Sequence, residues 1–168
     1  TTEAFGDFKL PVMLYSIVGS FALFGASEWT ARLPGVLYGT GTIVAVYLLM
    51  RELRREKEND YLPLLAALFL AITPAHIFVS RGTWELTPAV FYITIGTVFF
   101  LKAIHAKIGS SFSRWYYLLA ATSFALSLYA YNSARVFVPL FGLSLIGIYR
   151  KEIKKQMQSR ATLITICL

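Results

Sequence analysis

The sequence YLPLLAALFLAITPAHIFVSRGTWELTPAVFYITIGTVFFL, residues 61–101, holds two apolar runs separated by five residues that include Arg81 and Glu85. The runs are residues 61–80 and 86–101, and each is close to the roughly 20 residues that a helix needs to cross a bilayer. Charged side chains are costly inside lipid, so a charged pair between two such runs is expected at a membrane surface. The stretch therefore predicts two membrane-spanning helices joined by a short polar turn.

Uncharged runs recur along the whole chain of 168 residues, of which 57% are hydrophobic, and the mean hydropathy is +0.60. A soluble domain carries charge over its general surface, whereas the charges here form a few clusters. The other uncharged runs are Leu10–Ser27, Leu33–Met50, Trp115–Ala134 and Val136–Tyr149. We therefore predict an all-α fold, a polytopic bundle of transmembrane helices.

Lysine and arginine are concentrated in three segments between these runs. Residues 51–60, 102–114 and 150–160 hold four, three and five of them, which is twelve of the sixteen in the chain. Cytoplasmic loops carry an excess of Lys and Arg, so all three segments are predicted to be cytoplasmic loops of a multi-pass plasma-membrane protein. Two spans then separate each loop from the next, which makes this orientation self-consistent.

The expected spans are residues 33–50, 61–80, 86–101, 115–130 and 136–149. Residues 161–168 read as the start of a further span, and the whole chain is interpreted as one membrane-domain fragment that is truncated at both ends.

The run Leu10–Ser27 allows two interpretations. It could form a sixth span, but its glycine and serine content weakens that assignment, and Pro11 suits the start of a helix. We favour a juxtamembrane helix at the outer interface, which makes residues 1–30 an external segment.

The four remaining cations, Lys9, Arg32, Arg81 and Arg135, all fall on the external side of this topology. The acids Asp7 and Glu85 fall there as well, as do Glu3 and Glu28. Charged groups gathered at one membrane face, some of them at the ends of spans, indicate an electrostatic binding site.

Simpler interpretations exist for each of these residues. Arg32 could pair with Glu28 one turn earlier, and Arg135 could be an interfacial anchor beside two tyrosines. Arg81 and Glu85 could form only a tight external turn, and Lys9 could be an ordinary surface lysine. His76 is expected to be a neutral histidine bound to a neighbouring carbonyl rather than a metal ligand.

Several classes of function find no support in the sequence. The net charge of +7 does not indicate a nucleic-acid partner, because the basic residues flank apolar runs and are not interleaved with aromatic residues on a polar face. The single cysteine, Cys167, permits no internal disulfide, and no metal site is predicted.

Gly35, Gly39 and Gly41 have the small-residue spacing that is typical of closely packed membrane helices.

Four stretches, taken in order, carry a resemblance to a known family. They are FGDFKLPVMLYS (5–16), LFGASEWTARLPGVLYGTGTIVAVYLLMREL (23–53), ITPAHIFVSRGTWE (72–85) and LSLYAYNSARVFVPL (126–140). Together they resemble the N-terminal membrane region of GT-C glycosyltransferases, above all the bacterial relatives of the dolichyl-phosphate-mannose protein mannosyltransferases and the lipid A aminoarabinose transferase.

The resemblance implies an integral membrane enzyme that moves a sugar from a polyprenyl-phosphate donor to an acceptor on the external face, with inversion. The acceptor would be a protein, a lipid or a glycan. In that family the catalytic base is an aspartate before the Lys-Pro segment, so the base is expected upstream of Thr1, and no catalytic residue is assigned here. The isolated fragment is expected to be inactive.

The donor side of the site is carried over residue by residue. Lys9 matches the lysine of the Lys-Pro segment, although Leu10 stands in place of its first proline, and Arg81 and Glu85 match the second external motif. Independently of the family, a departing phosphate needs cations beside it, which adds Arg135. A carboxylate such as Glu85 or Asp7 could orient a cation, a divalent metal or sugar hydroxyls. A transporter or flippase for a lipid-linked or anionic solute and a non-catalytic membrane scaffold are the alternatives.

Overall fold

The structure is a computed structural model that describes residues 3–4, 7–8, 10–55, 60–106 and 111–156, with side chains for 10–55, 60–106 and 112–156. The predicted site residue Lys9, the single Cys167 and the further span expected at 161–168 lie outside the described residues, as do parts of the three basic loops. Asp7 is described in its backbone only.

The described residues form an all-α bundle, as predicted, preceded by a short antiparallel pair of strands that the sequence did not predict. The elements are β1 (Glu3–Ala4), β2 (Asp7–Phe8), α1 (Pro11–Phe24), α2 (Glu28–Leu53), α3 (Leu62–Ile72), α4 (Pro74–Arg81), α5 (Leu86–His105), α6 (Ser111–Leu128) and α7 (Ala134–Ile148). In the strand pair Glu3 lies opposite Phe8, and Ala4 lies opposite Asp7.

Two helices of the described residues, α2 and α5, are long and apolar enough to cross a membrane by length and composition. The bent pair α3 and α4 would make a third, whereas α1 and α7 are apolar but have only 14 and 15 residues. Large apolar side chains on α3 and α7 are exposed, including Leu64, Phe69, Val136 and Leu140. Such contiguous apolar surface is what lipid covers in a membrane protein.

Helix α2 begins before the apolar run that the sequence marked as a span from Leu33. Ser27 caps the helix, because its hydroxyl accepts from the Thr30 N–H at 3.2 Å while the Thr30 hydroxyl accepts from the Ser27 N–H at 3.0 Å. This reciprocal capping satisfies backbone donors that are otherwise unpaired at a helix start. The first turn of α2 therefore begins at Glu28 and carries Arg32 into the helix.

The predicted span 61–80 is not one straight helix. Thr73 adopts extended backbone angles (φ −67°, ψ 119°) before Pro74, and α3 and α4 meet there at 63°. A residue that precedes proline is pushed out of the helical region, and proline has no N–H to continue the helix. Both α3 and α4 pack against α2, one on each side of the break.

Close contact between α2 and α4 depends on two glycines of α2. A Cβ on Gly35 would lie 2.3 Å from the Gly82 carbonyl oxygen, and a Cβ on Gly39 would lie 2.3 Å from the Ser80 Cβ. The close packing predicted for these glycines is therefore confirmed, with the end of α4 as the partner of Gly35 and Gly39. Gly41 meets α5 instead, since a Cβ there would lie 2.8 Å from the Phe91 ring.

The second half of the bundle is built on α5 and α6, which form the most extensive helix pair. Phe100 and Ile104 of α5 pack with Ala120 of α6 and Leu145 of α7 in one buried cluster. Gln156 closes the end of α5, since its side-chain amide donates to the carbonyl oxygens of Ala103 and Ile104 at 2.9 and 2.8 Å. These carbonyls lie at a helix end, where they have no partner within the helix.

Candidate functional site

A groove of about 650 Å³ lies between the first turns of α2, the helix α4 and the turn that follows it. Two arginines, two aromatic residues, a proline and an isoleucine dominate its wall: Arg32, Pro74, Ile77, Phe78, Arg81 and Trp84. We call it the arginine groove. Its composition, with apolar walls and a few charged groups, is typical of ligand sites.

Arg81, the last residue of α4, is exposed in the groove and makes no ion pair within the described residues. Arg32 is already paired with Glu28, whose Oε1 lies 2.5 Å from its Nη2, as one of the simpler interpretations anticipated. The pair is exposed and contributes little to stability. With one neutralised arginine and one uncompensated one, the groove favours an anionic ligand.

Trp84 forms the aromatic wall of the groove together with Phe78, and the two ring centroids lie 6.4 Å apart. A Cβ on Gly82 would lie 2.4 Å from the Trp84 indole, so the ring packs directly over this glycine. A larger residue at position 82 would therefore push Trp84 out of its place. Trp84 is 54% exposed, which leaves one side of the indole available to a ligand.

Glu85 lies just beyond the groove and holds the beginning of α1. Its Oε1 accepts a hydrogen bond from the backbone N–H of Leu10 at 3.0 Å, although the two residues are 75 positions apart. This contact ties the chain immediately after Lys9 to the turn that carries Arg81 and Trp84. Two of the predicted motifs, the Lys-Pro-like segment and the Arg81–Glu85 segment, are thus adjacent in space.

Two substitutions of Glu85 distinguish the hydrogen bond that it accepts from Leu10 from its negative charge. Glu85→Gln keeps an oxygen that can accept from Leu10, so we expect the thermal unfolding temperature of the full-length protein to be unchanged. Glu85→Ala removes the acceptor and leaves the N–H unpaired, which costs on the order of 1–3 kcal/mol. Equal unfolding temperatures for the two variants would contradict the anchoring role.

The structure does not bring all the predicted site residues together. Arg135 is exposed in the first turn of α7, and it does not line the arginine groove. Helix α7 packs mainly on α6, whereas the groove is formed by α2 and α4. The side chains of Lys9 and Asp7 are outside the described side chains, so their roles stay predictions.

The His76 ring forms a hydrogen bond within the helix bundle. Its Nε2 lies 3.2 Å from the Gly39 carbonyl oxygen, which confirms the interpretation of a histidine bound to a neighbouring carbonyl. Throughout the part of the chain that the structure describes, no group of three His, Cys, Asp or Glu side chains is placed to hold a metal ion.

The sequence does not point to the aromatic residues of the groove, and it does not show that Arg32 lines it. The predicted pair of Arg32 and Glu28 is confirmed, and the same arginine also lines the groove beside Trp84 and Phe78. A signal was available for Trp84, since it lies between two predicted site residues in the stretch RGTWE. No comparable signal exists for Phe78, because one aromatic residue in an apolar run does not reveal which side of the helix faces a groove.

Comparisons with known proteins add information that is independent of this geometry. The sequence model of the family described as dolichyl-phosphate-mannose-protein mannosyltransferase matches residues 9–168. A protein of Bacillus subtilis (strain 168) named "Putative mannosyltransferase YycA" is 30% identical over 156 residues. The alignment covers 90% of the present chain and 21% of the relative, so the chain spans about a fifth of that protein's length. No solved structure matches the chain at a significant level.

Proposed function

The chain belongs to the dolichyl-phosphate-mannose-protein mannosyltransferase family, and from this premise we propose that the full-length protein transfers a sugar from a polyprenyl-phosphate donor. The acceptor is a protein, a lipid or a glycan at the external face of the plasma membrane, and the anomeric carbon is inverted. In this orientation the basic segments 51–60, 102–114 and 150–160 face the cytoplasm.

The arginine groove is the observation that carries this proposal. In an inverting transfer the acceptor hydroxyl attacks the anomeric carbon while the bond from that carbon to the phosphate oxygen breaks. The phosphate leaves with the bonding electron pair, and the hydroxyl proton passes to a base that is not assigned within this chain. In this proposal Arg81, which lines the groove and has no ion-pair partner among the described residues, stabilises the negative charge that grows on the phosphate.

The surroundings of the groove suit a lipid-linked donor. Phe78 is 68% exposed and Ile77 is 41% exposed beside the arginines, so a prenyl chain can lie on apolar surface while its phosphate reaches Arg81. Glu85 supports this arrangement from the side, because it fixes the segment that follows Lys9. Lys9 would add a further cation to the phosphate site.

A transporter or flippase is the second candidate, and the break between α3 and α4 is the observation that favours it. Transporters place broken helices and ionisable groups together near the middle of the bilayer. The one ionisable side chain within a turn of the break at Thr73 is His76, and the nearest arginine, Arg81, is at the far end of α4. The uncompensated charge therefore lies away from the break, which favours transfer over transport.

The test is an assay of the full-length protein in liposomes with a radiolabelled polyprenyl-phosphate sugar and a membrane extract as the source of acceptors. We expect a labelled glycosyl product with inverted anomeric configuration. Movement of the labelled lipid across the bilayer without any glycosyl product would instead support the transporter. A protein that does neither across a panel of donor sugars would match a scaffold and contradict the proposal.

A further inference from the structure

We propose that a second cavity, at the opposite end of α2, binds the headgroup of an anionic phospholipid. The cavity has a volume of about 890 Å³ and lies among the end of α2, the start of α3, the end of α5 and the start of α6. Four cations line it: Arg51, Arg54, Arg55 and Lys102. We call it the basic cavity. Its size falls within the range of about 300–1,000 Å³ that small-molecule sites occupy.

Some of the charged side chains in the basic cavity are in contact with other polar groups of the protein. Arg54 forms an ion pair with Asp60, and Oε2 of Glu52 lies 3.5 Å from Nδ1 of His105. Arg55 donates a long hydrogen bond to the carbonyl oxygen of His105 at 3.4 Å. These contacts connect the end of α2 to the beginning of α3 and the end of α5, so the wall of the cavity is fixed by its own polar groups.

Arg51 and Lys102 have no ion-pair partner among the side chains that the structure describes. Four cations and the two acids Glu52 and Asp60 give the lining a formal charge of +2. The adjoining segments 56–59 and 107–110 contain two acids and two lysines, so their sequence adds no net charge. A ligand that completes this site must therefore be an anion.

The position of the cavity along α2 points to a lipid headgroup. Arg51 follows Arg32 by 19 residues on the same helix, which corresponds to about 28 Å at a rise of about 1.5 Å per residue. The hydrocarbon core of a bilayer is about 30 Å thick. The arginine groove and the basic cavity are thus spaced to lie at the two edges of one hydrocarbon core, where each site borders a headgroup region.

An apolar strip leads away from the basic cavity along α3. Leu64 lines the cavity and is 61% exposed, and Leu68, one turn further, is 53% exposed. Phe69 continues the strip at 65% exposure. Acyl chains can follow these side chains while the headgroup stays with Arg51 and Lys102. A soluble phosphate compound would make no use of the strip, so the geometry favours a phospholipid. Basic pockets between membrane helices commonly bind anionic headgroups in this way.

The test compares the binding of two lipids to the full-length protein in detergent, followed by native mass spectrometry. We expect phosphatidylglycerol, which is anionic, to bind more tightly than phosphatidylcholine, which is zwitterionic. The double variant Arg51→Gln, Lys102→Gln should bind phosphatidylglycerol roughly 25-fold more weakly, about fivefold for each cation removed. Its phosphatidylcholine binding should not change. This inference does not depend on transfer at the arginine groove, so a protein without transferase activity can still be tested.

The matched control is the double variant Arg150→Gln, Lys151→Gln, which removes the same charge from two exposed residues that do not line the cavity. It should retain the binding of phosphatidylglycerol within about twofold. An equal loss in both double variants would show general attraction to a basic surface and would overturn the site, as would unchanged binding in the first variant. Displacement of the lipid by millimolar inorganic phosphate would assign the cavity to a soluble anion and overturn the lipid proposal.

A second measurement decides the matter if the first double variant does not fold. In the wild-type protein the preference for phosphatidylglycerol should fall as NaCl is raised from about 0.1 M to about 1 M, since the screening length shortens from about 10 Å to about 3 Å. The single variant Lys102→Gln should lose about fivefold in affinity. If the preference for phosphatidylglycerol is the same at both salt concentrations and in Lys102→Gln, the proposal is contradicted.

Discussion

Replacing Gly39 with alanine is expected to reduce sugar transfer by about a hundredfold, although the residue lies outside the arginine groove. The new methyl group would lie 2.3 Å from the Ser80 Cβ, which no side-chain rotation can relieve. Helix α4 must therefore move away from α2 and take Arg81 with it. A displacement of about 1 Å at a reacting group can cost about two orders of magnitude in rate, and overpacking destabilises by about 1–3 kcal/mol.

The contact that causes this loss can be tested by compensation. Ser80→Gly removes the Cβ that clashes, so the double variant Gly39→Ala, Ser80→Gly should recover most of the lost activity. Gly142→Ala is the matched control, because Gly142 also lies inside a helix and a Cβ there would meet nothing within 4 Å. Transfer rates and unfolding temperatures of the wild type, the two single variants and the double variant complete the cycle, and Gly142→Ala is measured beside them. Failure of Ser80→Gly to rescue would show that the two side chains do not act through their contact.

Arg81→Gln is expected to lower kcat for transfer by about a hundredfold while the protein keeps its fold. The loss of one group that stabilises developing charge typically costs about 3 kcal/mol in a transition state. Arg81 is exposed and has no ion-pair partner among the described residues, so its removal breaks no internal salt bridge. Arg81→Lys keeps the charge but loses the planar fork of the guanidinium, so an intermediate rate is expected.

The steady-state parameters for Arg81→Gln distinguish two roles. A fall in kcat with little change in KM would place the arginine on the departing phosphate in the transition state, whereas a rise in KM alone would make it a ground-state contact of the donor. Arg114→Gln is the control, since Arg114 is an exposed arginine at the start of α6 that does not line the groove. If Arg81→Gln has the kcat and KM of the wild type, Arg81 does not belong to the site.

The place of the groove along the chain could be anticipated in part, because charge is rare in this chain and each exception is conspicuous. Arg81 and Glu85 stand between two apolar runs, and both lie at the turn where the arginine groove ends. The individual partners could not be anticipated. Nothing in the sequence indicates that Glu85 accepts from the N–H of Leu10, since this contact joins residues 75 positions apart through the packing of α1 against the bundle.

The helix bounds expected from the apolar runs differ from the observed bounds at two places. The hydropathy pattern predicts one span over residues 61–80, but the restriction that Pro74 imposes on Thr73 divides them into two helices that meet at 63°. Conversely, α5 continues beyond Leu101, where the apolar run ends, to His105, and Gln156 donates to carbonyl groups at this end. The first case involves neighbouring residues and could have been foreseen. The second involves a residue about 50 positions away.

The sequence alone determined that this chain is a helical membrane protein with its few uncompensated charges grouped, because the cost of placing charge in lipid acts on composition and needs no knowledge of the fold. It also indicated the family through the order of its motifs. Only the tertiary structure decided which charges share a site. Arg32 joins Arg81 because Gly35 and Gly39 let α4 approach α2, whereas Arg135 does not line that groove because α7 packs on α6. Distances between helices depend on side-chain contacts, and the hydropathy pattern of a sequence does not contain them.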